Sequence, residues 1–413
     1  MASPAPQTAP ASPAAAAPAA PPAVPTQMVL ATMLRVSPQV SDLIFSPGRP
    51  PQVELNSQLV AVKIEGLTML RPEDTVRIAG DLIGPNKAAF EKLRQEGSCD
   101  ISYSLARMAR FRVNIFTQRG SCAIVMRVIP TDIPDLATFN LPPQLGDIAK
   151  LKNGIVLVTG PTGSGKSSTL AAIVNLINKE QAIHIVTIED PIEFLHPHKK
   201  ATIHQRELHS DTPSFALALR AALRQAPKVI LVGEMRDKET IEIALEAAET
   251  GHLVFSTLHT TDASKTVERI IGVFPLNEQH VIRTRFAKAF RYIVSQRLIP
   301  KKGGGRVAAI EVLIATLRTR EYVERGESEG KTLLDAMRDG SLDGMQHFDM
   351  MIERMIRDGE IELDTGLAYA TNTGNLRLQL RDLIEGDPQG RTATPEKPQS
   401  KQGGDTELEI TRL

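Results

Sequence analysis

The run Gly160-Pro161-Thr162-Gly163-Ser164-Gly165-Lys166-Ser167 satisfies every fixed position of G-x-x-x-x-G-K-[ST]. A glycine loop of this kind turns successive backbone N–H groups toward one point, where an anion can sit. Lys166 would reach the β/γ-phosphates of a nucleoside triphosphate, Ser167 would ligate Mg²⁺, and Ser168 would close the phosphate-binding run. The chemistry is phosphate-ester binding and transfer.

Other residues could act beside that loop. Glu234 follows the apolar run Val229-Ile230-Leu231-Val232 and Gly233, at the end of an expected buried strand. It is the candidate base that polarises the attacking water. Gly233 takes the place where such strands usually carry a metal-holding aspartate, and Glu189 and Asp190 are the substitutes, with Glu193 close by in Thr187-Ile188-Glu189-Asp190-Pro191-Ile192-Glu193. Three acids in five residues would repel one another unless a cation such as Mg²⁺ joined them. A solvated turn ended by Asp190-Pro191 is the alternative. His252 and His259 bracket a further strand and either could sense a γ-phosphate, or each could be a satisfied structural histidine. Metal-ligand spacings for any ion other than Mg²⁺ are not found.

These residues need elements to hold them. Gly154-Ile155-Val156-Leu157-Val158-Thr159 reads as a buried strand feeding the loop, and Leu170, Ile173, Val174 and Ile177 recur at helical spacing behind it. From about 146 onward buried strands at Ile183 to Glu189, Val229 to Val232, Leu253 to Leu258 and Ala308 to Ile314 alternate with helices, which implies a parallel sheet. Between about 28 and 138 the pattern is mixed α/β, with strands at Asp42 to Ser46 and Gln58 to Lys63, helices near Pro72 to Ile83 and Asn86 to Gln95, and three further strands. In one of these, polar and apolar residues alternate, which places Arg110, Arg112 and Asn114 on one face and Phe111, Val113 and Ile115 on the other. Leu141-Pro142-Pro143 looks like a link between domains.

Composition narrows the class. The 413 residues suffice for roughly two to three domains, and 48 basic residues balance 48 acidic ones, so bulk charge favours neither nucleic acid nor anionic membrane. The basic span Arg283 to Arg306 could face a membrane protein, nucleic acid or water, and a solvated face is the plain reading. Two isolated cysteines without C-x-x-C spacing argue against a disulfide framework or zinc site. No apolar stretch reaches the ~18 residues of a membrane span, and the first basic residue, Arg35, comes too late for a secretory signal, so a cytosolic protein is expected. The Ala/Pro-rich tract 1–27 and the polar segment 386–413 are expected to be disordered tails.

Together these segments resemble the type II/IV secretion ATPases, and within them the pilus-retraction branch. The matches are the phosphate loop extended through Ser168-Thr169-Leu170-Ala171-Ala172, the stretch Thr187 to Phe194 (the family's Asp box) and Val232 to Asp237 (its atypical Walker B). The fourth is Ala248 to Phe255 with Thr257-Leu258-His259-Thr260, its His box. The resemblance covers about residues 35 to 380. It implies an α/β protein with a PAS-like N-terminal domain (28–138), a linker (139–145), a RecA-like ATPase core (146–320) and a small C-terminal helical appendage (321–385). It further implies a homohexameric ring that binds ATP and Mg²⁺ in the cytoplasm at the inner-membrane pilus base. The partners would be a membrane platform protein and a paralogous ATPase, and no nucleic acid. ATP would lie between subunits, with Arg110 and Arg112 acting in trans and Arg127 on a following strand. An arginine so delivered is worth roughly 10³ to 10⁵ in rate in other nucleotidases.

One departure bears on role. Retraction motors usually carry an A-I-R-N-L-I-R-E helix; here the stretch is Leu317-Arg318-Thr319-Arg320-Glu321-Tyr322-Val323-Glu324, which leaves a principal and an accessory retraction motor both open. An assembly motor would carry a four-cysteine motif and a longer folded N-terminal region. A small-molecule kinase is the rival from another class. A guanine reader N-K-x-D is not matched, because Asn86-Lys87-Ala88-Ala89 lacks the acid, so ATP is the expected nucleotide.

Overall fold

The computed structural model describes residues 24–385 apart from 56–57, 107, 131–132, 134 and 140. The expected tails therefore lie almost wholly outside the described residues. Helix α1 (Thr26–Leu34) begins two residues inside the first of them and packs Val29, Leu30 and Met33 into a core.

That core backs a six-stranded antiparallel sheet. Its strands are β1 (Asp42–Phe45), β2 (Gln52–Leu55), β3 (Gln58–Ala61), β4 (Ser98–Leu105), β5 (Ala109–Gln118) and β6 (Ser121–Ile129), in the order β3-β2-β1-β6-β5-β4. Helices α2 (Pro72–Ile83) and α3 (Lys87–Glu96) separate β3 from β4. Pro72 opens α2, where a missing N–H costs nothing, and Asp74 Oδ2 accepts the Arg71 N–H at 3.0 Å. Asn86 caps α3 by accepting the Ala89 N–H at 3.1 Å, and Gly97 ends it in the left-handed region. The alternation expected in β5 is present: Phe111, Val113 and Ile115 are buried and Arg112 is exposed.

A second sheet has seven strands in the order β13-β12-β7-β11-β10-β8-β9. They are β7 (Gly154–Thr159), β8 (His184–Glu189), β9 (Thr202–Glu207), β10 (Val229–Val232), β11 (Leu253–Leu258), β12 (Phe290–Pro300) and β13 (Arg306–Ile314). Every residue of β7, β10 and β11 is buried, as strands covered on both faces require. Pairings β8–β9, β10–β8, β10–β11 and β12–β7 are parallel, while β12–β13 is an antiparallel hairpin. Helices α4 (Lys166–Glu180), α5 (Phe215–Ala222), α6 (Lys238–Glu249), α7 (Ala263–Gly272) and α8 (Leu276–Ala289) connect the strands. Short 3-10 turns at Leu136–Phe139 and Pro143–Lys150 precede β7; the proline pair does not exclude helix at Pro143, because proline suits a first helical position. The chain groups into two compact units, one holding 24–135, 151–153 and 170–256, the other 136–150, 154–169 and 257–385.

The C-terminal part is helical, as expected: α9 (Leu317–Arg325), α10 (Leu333–Asp339), α11 (Phe348–Arg357), α12 (Leu363–Tyr369), α13 (Thr373–Gln379) and α14 (Arg381–Glu385). Phe348, Ile352, Met355, Leu376 and Leu380 pack with Ile299 and Ala309 in one cluster.

Three strands escape the sequence reading. β2 is four residues long behind Pro50-Pro51, and β9 is a mostly polar edge strand. β12 overturns the reading of Arg283 to Arg306 as a single solvated face, since that span crosses from α8 into an interior strand. Arg291 donates to the carbonyls of Lys288, Ala289 and Phe290 at 2.8 to 3.1 Å. Arg297 donates to Tyr369 O at 2.7 Å and lies 3.8 Å over the Phe348 ring, where burial lowers its pKa.

Candidate active site

The phosphate loop joins β7 to α4, and its shape explains its glycines. Gly160 has φ +146°, and a Cβ there would sit 2.3 Å from Gln296 O and 2.6 Å from Ser164 Oγ. Gly165 has φ +90°, with Gln296 Nε2 2.8 Å from its would-be Cβ. Gly163 at φ +77° faces open space and answers to the backbone alone. Strand β12 is thus the wall behind the loop, and Gln296 also accepts from Thr169 Oγ1 at 2.8 Å.

Three features of this loop suit a phosphate. Helix α4 starts at Lys166, so its first N–H groups and the positive end of its dipole face the loop. Lys166 is buried and its Nζ lies 2.9 Å from Gly160 O, 3.0 Å from Pro161 O and 3.5 Å from His259 Nδ1. Ser164 Oγ is buried with no hydrogen-bond partner in the protein, a donor that a bound oxyanion would satisfy. Pro161, Thr162 and Ser167 are exposed at the rim and Ser168 is half-buried. The donor set fits Mg²⁺ in the manner of this motif, through the Ser167 hydroxyl, phosphate oxygens and water. Among the described residues, no cluster of three metal-ligating side chains forms, and Mg²⁺ bound this way needs none.

Gly160 N donates to Leu258 O at 3.3 Å, so the end of β11 meets the start of the loop. His259 follows that end and thereby reaches Lys166. His252 precedes β11, six residues away at about 3.3 Å per residue, with Nδ1 against Ala247 O at 3.0 Å and Thr250 Oγ1 at 3.3 Å. His252 is thus held in the turn before β11, and His259 stands beside Lys166.

The acidic groups are arranged in the other unit. Gly233 N donates to Ile188 O at 2.7 Å, which carries the β8–β10 pairing one residue onward. A Cβ on Gly233 would sit 3.2 Å from Ile188 O and 3.3 Å from Glu189 Cα, closer than a side chain normally tolerates. A side chain at 233 would therefore crowd the backbone of Ile188 and Glu189. Glu234 follows, largely buried, with Arg236 Nε 2.5 Å from its Oε1. Glu234 thus has a structural partner in Arg236 as well as its place at the strand end.

Glu189 is half-buried, and its Oε1 accepts from Thr187 Oγ1 at 2.6 Å and Gln205 Nε2 at 3.0 Å. Desolvation raises its pKa, and those hydrogen bonds oppose the rise. Asp190 and Glu193 are exposed. The Glu193 charge still adds to the rise at Glu189, and the Glu193 backbone N–H and the two side-chain donors oppose it.

The arginines divide as well. Arg110 Nη2 lies 3.0 Å from Glu207 Oε2, and Ser102 Oγ donates to Glu207 Oε1. Arg127 pairs with Asp42 at 3.0 Å. Arg112 is exposed and makes no ion pair among the described residues. Sequence reading missed Gln205, Glu207 and Gln296. The alternation of inward Ile203, Gln205 and Glu207 is the signal that could have found the first two.

A buried strand, a glycine loop and a helix that begins at the loop's lysine define a P-loop nucleotide-binding protein of mixed α/β fold. The family described as Type II/IV secretion system protein matches residues 84–338, and the chain belongs to that family. It is 41% identical over 322 residues to the type IV pilus retraction ATPase PilT of Pseudomonas aeruginosa, covering 78% of this chain and 91% of that one. It is 47% identical over 284 residues to a twitching motility protein of Neisseria gonorrhoeae, covering 68% and 75%. The crystal structure of the pilus retraction motor PilT with bound ADP superposes with a TM-score of 0.74 at 40% identity, covering 84% of this chain and 97% of that one. ATPase activity is the activity of this family.

Proposed function

We propose that this chain is the ATP-hydrolysing motor of type IV pilus retraction and so of twitching motility. The observation that carries the reading is the 41% identity to a pilus retraction ATPase along 91% of its length. The phosphate loop, with Lys166 and the unpartnered Ser164 hydroxyl, supports it.

The residues divide the work as follows. Gly160 to Ser168 wrap the phosphates, Lys166 binds the β/γ-phosphates, and Ser167 holds Mg²⁺, with Glu189 and Asp190 orienting its water. When bound, Mg²⁺ neutralises charge that develops on the phosphates. Glu234 orients and deprotonates the attacking water, His259 senses the phosphate next to Lys166, and Arg112 reaches the nucleotide of a neighbouring copy, with Arg110 behind it. Six copies form the ring; residues 28–138 act as its PAS-like domain, 146–320 as its RecA-like core and 321–385 as its helical appendage. The ring works in the cytoplasm on an inner-membrane platform protein, alongside a paralogous ATPase and without nucleic acid. No helix among the described residues is long and apolar enough to cross a membrane.

The test is to delete the gene, label the pili and image them on living cells, complementing with wild type or Glu234→Gln. Pili that extend but do not shorten, restored by wild type alone, support the reading. Normal shortening in the deletion strain overturns the principal-motor assignment and leaves an accessory role.

A further inference from the structure

Glu311 is a buried carboxyl that none of the roles above uses. On β13 it stands opposite Ser295 of β12, which stands opposite Thr159 of β7, so three side chains form one row across three neighbouring strands. Thr159 and Ser295 are 0% exposed and Glu311 is 3% exposed. Glu311 Oε1 accepts the Ala263 N–H at 2.8 Å, the Ser295 hydroxyl hydrogen-bonds the same carboxyl, and Thr159 Oγ1 lies 3.1 Å from Ser295 Oγ.

The ends of this row matter. Thr159 is the last residue of β7, and Gly160 of the phosphate loop follows it directly. Ala263 opens α7 four residues after His259, whose Nδ1 is 3.5 Å from Lys166 Nζ. One carboxyl therefore holds the root of the phosphate loop through two hydroxyls, and the root of the His259 segment through a backbone N–H.

Donor counting limits how the row can be arranged, because each hydroxyl carries one proton, and Thr266 Oγ1 of α7, 3.4 Å from Thr159 Oγ1, extends the row. With Glu311 ionised, Ser295 donates to the carboxylate and Thr159 donates to Ser295. With Glu311 protonated, the carboxyl can donate to Ser295, which then donates to Thr159, and the order reverses. We propose that Glu311 is a positioning residue that couples the phosphate loop to the His259 segment through the Ser295–Thr159 row, so that its proton changes nucleotide affinity. This rests on the reading that the loop binds nucleotide.

The charged surroundings favour a titration in an accessible range. Burial pushes Glu311 up to about 7, and Asp262 at the N-cap of α7 adds to the rise. The Ala263 N–H, the Arg297 guanidinium on β12 and the Ser295 hydroxyl oppose it. Asp349 of α11 acts in turn on Arg297.

The test is the affinity of the full chain for a fluorescent ADP analogue between pH 6 and pH 8.5, taken as the ratio of wild type to variant so that titration of the ligand cancels. Glu311→Gln keeps an acceptor for Ala263 N–H but can only donate to Ser295, which fixes the reversed order. The expected ratio departs from one by roughly two- to thirty-fold at pH 8 and approaches one at pH 6, where wild type takes the same order. Ser295→Ala, which leaves the carboxyl in place and cuts the row, is expected to give a ratio that changes across the same window. A ratio independent of pH for both variants, even with an altered melting temperature, overturns the proposal and leaves Glu311 a packing residue. Wild type that binds no ADP at any pH overturns the nucleotide reading itself, and this inference with it.

Discussion

Arg110 of β5 and Glu207 of β9 form a close ion pair, 3.0 Å from Nη2 to Oε2, with the carboxylate side chain only 5% exposed. Glu207 Oε2 also accepts the Ile192 N–H at 3.2 Å, so the same carboxylate holds the segment after Asp190. Arg112, two residues on, has no such anchor. The two arginines of one strand face are thus different in kind, one bound into its own chain and one presented outward.

Their replacement should separate stability from turnover. Arg110→Ala strands the Glu207 carboxylate and is expected to cost about 3 kcal/mol, read as a lowered midpoint in urea. Arg112→Ala should stay within about 0.5 kcal/mol of wild type and lower ATP hydrolysis at least about tenfold if it acts on a neighbour's nucleotide. Full activity in Arg112→Ala would remove it from the site.

Glu234→Gln keeps the shape of the side chain and a hydrogen-bond acceptor but cannot take a proton. Turnover should fall by roughly 10² to 10⁴ while ADP affinity changes little. Phosphate release and nucleotide binding, measured on the same preparation, check this, and hydrolysis at the wild-type rate would assign the base elsewhere. The Arg236 contact also loses its opposite charge, but Arg236 is 71% exposed and loses little by it.

The loop glycines should differ in sensitivity. In Gly160→Ala the new methyl meets a backbone oxygen, Gln296 O, at 2.3 Å, and no rotamer relieves that. Nucleotide binding should be lost. Gly163→Ala meets no atom and carries only the left-handed backbone cost of about 1 kcal/mol, so binding should weaken by about tenfold at most. Equilibrium titration with ADP distinguishes them.

Legibility in the sequence followed burial. β10 lies where an uninterrupted apolar run places it, β11 where a mostly apolar one does, and α2 runs from Pro72 to Ile83 as its pattern predicts. β9 and β12 were hidden because polar residues interrupt them for reasons that exist only in three dimensions. Gln205 serves Glu189, Glu207 serves Arg110, and Gln296 walls the loop. The phosphate loop was legible as a motif. The crowding of position 233 by the Ile188 and Glu189 backbone was not, since it comes from a neighbouring strand.

Glu311 should also leave its mark on folding. Its carboxyl is raised from 4.5 to about 7 in the folded chain, so between those values the native state holds a proton that the unfolded state has released. Stability from this group is fully present below about pH 4.5 and is lost as pH rises through 7, a change on the order of 3 kcal/mol. Urea midpoints of wild type should therefore fall from pH 5.5 to pH 8 relative to those of Glu311→Gln, which has no proton to lose. Parallel pH profiles for the two proteins would mean that the buried carboxyl ionises in the native chain as readily as in the unfolded one, with Arg297 and the Ala263 N–H offsetting the whole desolvation cost.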